Sequence, residues 1–232
     1  MSSPEPHPPG TDPAAPARDR LEAVKIVAVV RVPSPDGVVA ACRALCRHGV
    51  GAVEITLTVP GAYGLIGDLI AEFGDDLLVG AGTVLDVEDC RRSAEAGARF
   101  AVSPAFDSAV VDHCRRTGML AVPAALTPTE VLTAWRHSTG QDGLGLVKLF
   151  PARVATPEYV RDLLGPFPGL RLFPTGGIDE DGAAAYFDAG VAVVGIGSRL
   201  MAPAAIASGD TEAIAAAAAR FARVAARARG SR

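Results

Sequence analysis

The sequence predicts an α/β protein built as a single (β/α)8 barrel of the TIM type. From Leu21 onward, short β-branched apolar runs alternate with longer amphipathic ones. The short runs are almost continuously hydrophobic, as parallel strands covered on both faces require. Eight strand–helix pairs of even length fit in roughly 200 residues, and that regularity favours closure over a doubly wound open sheet.

The series opens with Ile26–Val30, followed by the amphipathic Asp36–His48. Ala52–Leu57 then leads into Ala62–Phe73, Leu77–Ala81 into Val87–Ala96, Arg99–Ser103 into Ser108–Thr117, and Leu120–Pro123 into Pro128–His137. Leu146–Phe150 precedes Pro157–Leu164, Arg171–Pro174 precedes Glu180–Ala189, and Val191–Ile196 precedes the alanine-rich Thr211–Arg229. Val and Ile crowd the short runs because branched side chains suit a pleated surface. A glycine closes five of the helix-like stretches (Gly49, Gly74, Gly97, Gly118 and Gly190), a common stop signal. Only the approach to the sixth strand is loosened, by Gly140, Gly143 and Gly145.

Composition bounds the function. With 232 residues, 49% of them hydrophobic and 21% charged, the chain can bury one sizeable core. Residues 1–20 hold Pro4, Pro6, Pro8, Pro9, Pro13 and Pro16 and read as a disordered tail, which leaves 21–232 as one domain. The tail lacks the apolar stretch of a secretory signal, and no run reaches the roughly 18–20 residues that span a bilayer. A net charge of −4 without any basic stripe argues against nucleic acid as a partner. Cys42, Cys46, Cys90 and Cys114 lie in helix-like segments without a C-x-x-C pair, so packed thiols in a reducing cytoplasm are expected. His7, His48, His113 and His137 are scattered over the tail and helices, so neither a metal nor a serine-based triad is expected.

Lys148 is one of only two lysines among 22 basic residues, and it interrupts the apolar run Leu144–Pro151. A buried lysine, unlike arginine, can shed its proton and become a nucleophile. The alternative is a lysine at a strand edge with its amine in water. In a (β/α)8 barrel the active site forms at the C-terminal strand ends. Those ends hold Arg31, Glu54 with Thr56, Gly82-Thr83, Ser103-Pro104, Pro123, Lys148, Thr175-Gly176-Gly177 and Gly197-Ser198. Nearly every polar residue of the strand layer falls in that set.

Burial and the nearby Arg31 would both disfavour the ammonium form of Lys148 and prepare it for imine formation with a ketone. Glu54, in an apolar strand, is placed to shuttle protons; an ion pair with Arg31 or Lys148 is the simpler reading, and the two are compatible. Thr175-Gly176-Gly177 and Gly195-Ile196-Gly197-Ser198 suit a phosphate, with a short helix opening at Ser198 expected to add its dipole, or they merely make tight turns. Gly80-Ala81-Gly82-Thr83 would offer donors to a carboxylate.

These stretches, in order and spacing, resemble the 2-keto-3-deoxy-6-phosphogluconate / 4-hydroxy-2-oxoglutarate (KDPG/KHG) aldolase family. The resemblance rests on Ile26–Arg31, Glu54–Pro60, Gly80–Val84, Val102–Pro104, Thr127–Glu130, Val147–Pro151, Pro174–Gly177 and Gly195–Ser198, and covers about residues 21–205. It implies a class I aldolase with Lys148 as the Schiff-base lysine and Glu54 as the acid/base. Thr83 with Arg31 would meet the pyruvate carboxylate, Phe150 and Pro104 would line the pocket, and Thr175, Gly176, Gly177, Gly197 and Ser198 would face the aldehyde or phosphate. A homotrimer without metal or organic cofactor is further implied.

Two departures stand out. Thr58 occupies a position where some members carry arginine, and Ala124 follows Pro123 where members usually show Pro-Gly. The expected reaction is cleavage of 2-keto-3-deoxy-6-phosphogluconate to pyruvate and glyceraldehyde 3-phosphate, with 4-hydroxy-2-oxoglutarate as a further substrate. Alternatives are the phosphogalactonate epimer as substrate, an isomerase or synthase using Lys148 only for its charge, or a non-catalytic sensor.

Overall fold

A computed structural model describes residues 12–138 and 145–230. The strands are β1 (Ile26–Val30), β2 (Ala52–Thr56), β3 (Leu78–Gly82), β4 (Phe100–Val102), β5 (Leu120–Val122), β6 (Ala124–Ala125), β7 (Leu146–Leu149), β8 (Arg171–Pro174) and β9 (Val194–Ile196). The helices are α1 (Ala15–Val24), α2 (Val38–Arg47), α3 (Ala62–Phe73), α4 (Val87–Glu95), α5 (Ser108–Thr117), α6 (Pro128–Ser138), α7 (Pro157–Leu164), α8 (Glu180–Asp188), α9 (Pro203–Ser208) and α10 (Thr211–Gly230).

Side-chain caps set the starts of α4, α5, α7 and α8. Asp86, Asp107, Thr156 and Asp179 each accept a hydrogen bond from a backbone N–H two or three residues into the following helix. Such a cap satisfies donors that the first turn leaves without a partner. α5 stops where Gly118 takes a left-handed φ of 73°, which needs no Cβ.

The sheet corrects the expected closure. Six strands form one parallel sheet in the order β5–β4–β3–β2–β1–β9, and three form a second, β6–β7–β8. The edges of the larger sheet stay 12 Å apart, so it is an open half-barrel and not a closed eight-stranded barrel. Pro123, without an N–H, ends β5, and β6 begins just beyond the expected fifth strand and joins the other sheet. On the other side, β8 and β9 belong to different sheets: the bridge Thr175–Gly195 lies just past β8, and Ala192 and Val193, just before β9, donate to the Leu172 carbonyl at 3.1 and 3.4 Å. The smaller sheet packs in this gap, β7 beside β5 and β8 beside β9.

Alternation along the strands sorts side chains onto two faces. Ala28, Val30, Val53, Ile55, Ala81, Val147, Leu149 and Leu172 face the helices and join the large core. Val27, Ala52, Leu78, Phe100, Leu146 and Phe173 turn the other way and form a second, inner cluster. Burying a side chain such as Phe100 or Leu146 contributes about 1.5–3 kcal/mol, so this cluster makes a rigid floor. α1 closes it from below with Ala17 and Leu21. That helix lies partly inside the stretch assigned to a tail; residues 1–11, and Gly140 and Gly143, fall outside the described residues.

All four cysteines are free, and Cys90 and Cys114 meet at 3.0 Å between α4 and α5. His48 is exposed, while His113 and His137 are half-buried on α5 and α6, and His7 lies outside the described residues. No helix among the described residues is long and apolar enough to cross a membrane.

Candidate active site

Two residues further along each inner-facing row stand the polar groups. Lys148 follows Leu146 on β7, with Ala124 and Phe173 beside it in register. Its backbone N–H donates to the Pro123 carbonyl at 2.9 Å, and only 6% of the residue is exposed. The strand-edge reading, with the amine in water, does not fit that burial. Nζ sits 4.9 Å from the centre of the Phe150 ring. Lys25, the other lysine, stands just before β1 and donates to the Ala192 carbonyl at 3.3 Å.

Glu54 follows Ala52 on β2 and pairs in register with Val29 and Gly80. It is 1% exposed, and its Oε2 accepts no hydrogen bond among the described residues. Burial pushes its carboxyl above the ordinary value, while the charges of Lys148 and Arg31 pull it back down. Burial wins, so the protonated form is favoured relative to a carboxyl in water.

The carboxyl occupies space that a side chain at Gly82 would need. A Cβ there would stand 2.0 Å from Glu54 Oε1 and 2.5 Å from its Cγ. Gly82→Ala is therefore expected to displace the carboxyl and lower turnover about a hundredfold, since an error near 1 Å in a reacting group has that effect. Gly80→Ala serves as the comparison: its Cβ would meet the Phe100 ring at 2.4 Å, in the floor. Urea titrations beside steady-state rates should separate them, with stability lost by about 1–3 kcal/mol in both. Equal turnover in the two variants would contradict the assignment.

At the open end of β1, Arg31 is exposed and bridges two threonines. Nη1 donates to Thr58 Oγ1 at 3.1 Å and Nη2 to Thr83 Oγ1 at 3.0 Å. Thr56 donates to the Val30 carbonyl at 2.9 Å and also meets Thr58 at 2.9 Å. Thr83 has φ of 60°, a region that β-branched residues rarely enter and that recurs at functional sites. The guanidinium thus ends beside Thr58, the position at which the resemblance implies an arginine in some members of the family.

Opposite, Thr175 follows Phe173 on the inner row, 6% exposed, with Oγ1 unpartnered among the described residues. Gly176 and Gly177 continue the turn, and Gly197-Ser198 follow β9. The helix expected to open at Ser198 is absent. Leu200 and Met201 both return hydrogen bonds to the Gly197 carbonyl at 2.9 Å, making a single turn, and α9 begins only at Pro203. Pro203 cannot donate, which suits the first turn of a helix and not its middle. Pro104, Ala124 and Phe150 border a cavity of about 400 Å³ that reaches Thr129 and Thr133 on α6.

Arg153 stands at no strand end. It lies on the β7–α7 loop, where no periodicity marks it, yet its Nε comes 2.9 Å from the point a Gly177 Cβ would occupy.

Comparison with known proteins decides the lineage. The family model "KDPG and KHG aldolase" matches residues 17–217. The chain belongs to that aldolase family. It is 35% identical over 194 residues to a 2-dehydro-3-deoxy-phosphogluconate aldolase of Treponema pallidum, covering 83% of this chain and 89% of the other. A 2-dehydro-3-deoxy-6-phosphogalactonate aldolase of Escherichia coli is 33% identical, covering 75% and 83%. Among solved structures, KDPG aldolase from Legionella pneumophila, with pyruvate captured as a covalent carbinolamine, has a TM-score of 0.79. It is 26% identical and covers 91% of this chain and 98% of its own. Membership in the KDPG/KHG family makes this chain a carbon–carbon lyase of the class I type. Among the described residues no cluster of three or more His, Cys, Asp or Glu is arranged to hold a metal.

Proposed function

We propose that the chain cleaves 2-keto-3-deoxy-6-phosphogluconate into pyruvate and glyceraldehyde 3-phosphate through an imine on Lys148. The single observation carrying this reading is Lys148 buried on the inner face, close enough to Glu54 to act on its ionisation. In the proposed course, Lys148 Nζ attacks the C2 ketone to give a carbinolamine, and Glu54 gives its proton to the departing hydroxyl, so that water leaves, an iminium remains and Glu54 becomes a carboxylate. Glu54, directly or through water, takes the C4 hydroxyl proton as the C3–C4 bond breaks and its electrons flow into the iminium. The aldehyde leaves with the phosphate. The remaining enamine is protonated at C3, and water releases pyruvate and the free lysine. The iminium on Lys148 is the electron sink, so the reading calls for no metal or organic cofactor.

Arg31 and Thr83 suit the pyruvate carboxylate, since a guanidinium and a hydroxyl are both donors. Phe150 and Pro104 would wall the pocket, and Thr175, Gly176, Gly177, Gly197 and Ser198 would receive the distal half. The Treponema and Legionella relatives support the gluco acid. The Escherichia coli relative supports the galacto epimer as the second reading. A homotrimer in a reducing cytoplasm completes the proposal.

Pyruvate release from a panel of phosphorylated and unphosphorylated 2-keto-4-hydroxy acids is the direct test, run with and without EDTA. The phosphorylated gluco acid should give the largest kcat/KM, unchanged by EDTA. Loss of activity in EDTA would contradict the lysine route, and preference for the galacto epimer would overturn the substrate assignment.

A further inference from the structure

We propose that Arg153 is the specificity-determining cation beside the Gly176–Gly177 turn and selects keto acids that end in a phosphate. The inference rests on the reading in which Lys148 holds the pyruvate half. Phe150 joins the two ends: its ring lies 4.9 Å from Lys148 Nζ, and its edge is 3.8 Å from the point a Gly176 Cβ would occupy. A substrate extending from Lys148 past Phe150 arrives at the Gly176–Gly177 turn. Arg153 lies along that turn, with Nε 2.9 Å, Cγ 3.4 Å and Nη2 3.5 Å from the Cβ point of Gly177.

The backbone on both sides of Arg153 is held. The Ala152 N–H donates to the Thr175 carbonyl at 3.1 Å. The buried Tyr186 hydroxyl reaches the carbonyls of Ala152 and Ala155, both at 2.8 Å. The acids that follow the two loops in sequence have partners of their own: Glu158 pairs with Arg161, Glu180 with Arg220, and Asp179 caps α8. Arg153 is exposed, and no hydrogen bond or ion pair ties it down among the described residues. Glycine N–H groups give an anion geometry but no net charge. A phosphate monoester carries close to two negative charges, and a guanidinium matches two of its oxygens at once. A distal hydroxyl or single carboxylate gains less from that fork.

The test uses the full-length protein with Arg153→Gln and Arg153→Lys. For R153Q, the ratio of kcat/KM on 2-keto-3-deoxy-6-phosphogluconate to that on 4-hydroxy-2-oxoglutarate should fall about tenfold to a hundredfold, the range for one charge-assisted hydrogen bond. The change should lie mainly in KM, with partial recovery in R153K. Inorganic phosphate should raise the Tm of the wild type and not that of R153Q. Borohydride trapping of pyruvate keeps the two readings apart. If pyruvate is trapped but the ratio is unchanged, the role of Arg153 is overturned and the aldolase reading stands. If phosphate stabilises only the wild type while pyruvate is never trapped, the anion site stands and the lysine chemistry falls.

Discussion

Lys148→Ala is expected to lower turnover by about four orders of magnitude or more, because it removes the nucleophile on which every later step depends. Incubation of the wild type with pyruvate and borohydride should add one reduced pyruvate to Lys148, read by intact mass and peptide mapping, and K148A should add none. The sharper variant is Lys148→Arg. It keeps a positive charge next to Glu54 but cannot form an imine at a guanidinium that never deprotonates. If Lys148 acted only by its charge, K148R would retain substantial activity; the imine route predicts that it falls as far as alanine. A folded wild-type protein that never acquires the adduct would sink the mechanism.

What made Lys148 and Glu54 legible was local contrast: each breaks an apolar run that has to be buried. Arg31, Thr83 and Thr175 were legible for a second reason, because strand ends collect polar groups on one side of a parallel sheet. Their mutual geometry was not legible. That Gly82 leaves room for Glu54 depends on how β3 stands beside β2, and no spacing within either strand encodes it. Closure is not legible in the sequence for a related reason. Eight even repeats count the strand–helix units, but nine strands form and continuity depends on single groups: Pro123 removes a donor where the ladder would have to continue. That proline was a signal in plain sight. The first helix was hidden by composition, since Pro16 reads as tail chemistry until it is placed in the opening turn, with Leu21 buried behind it. Arg153 carried no signal at all: its neighbour Gly177 is 24 positions along the chain and comes close only when the β7–α7 loop folds over the next turn.

Glu54→Gln should lower turnover by about 10²–10⁴-fold, the usual worth of a positioned acid–base group, and yet make the protein more stable at neutral and higher pH. The sign follows from the direction of the shift. In the folded protein the carboxyl is held above its ordinary value of 4.5, so the native state binds this proton more tightly than the unfolded chain. The stability that this proton confers is complete below about pH 4.5 and is lost as pH rises through the raised value. Glutamine has no proton to lose and escapes the decline. Urea midpoints of wild type and E54Q should therefore diverge with rising pH in favour of E54Q, and K148A should widen the wild-type decline by removing a charge that opposes it. Parallel midpoints across the range would mean that the buried carboxyl ionises without penalty. The same burial that makes Glu54 costly to ionise keeps a proton close to the bond-breaking site, so the stability lost there and the catalysis gained have one physical origin.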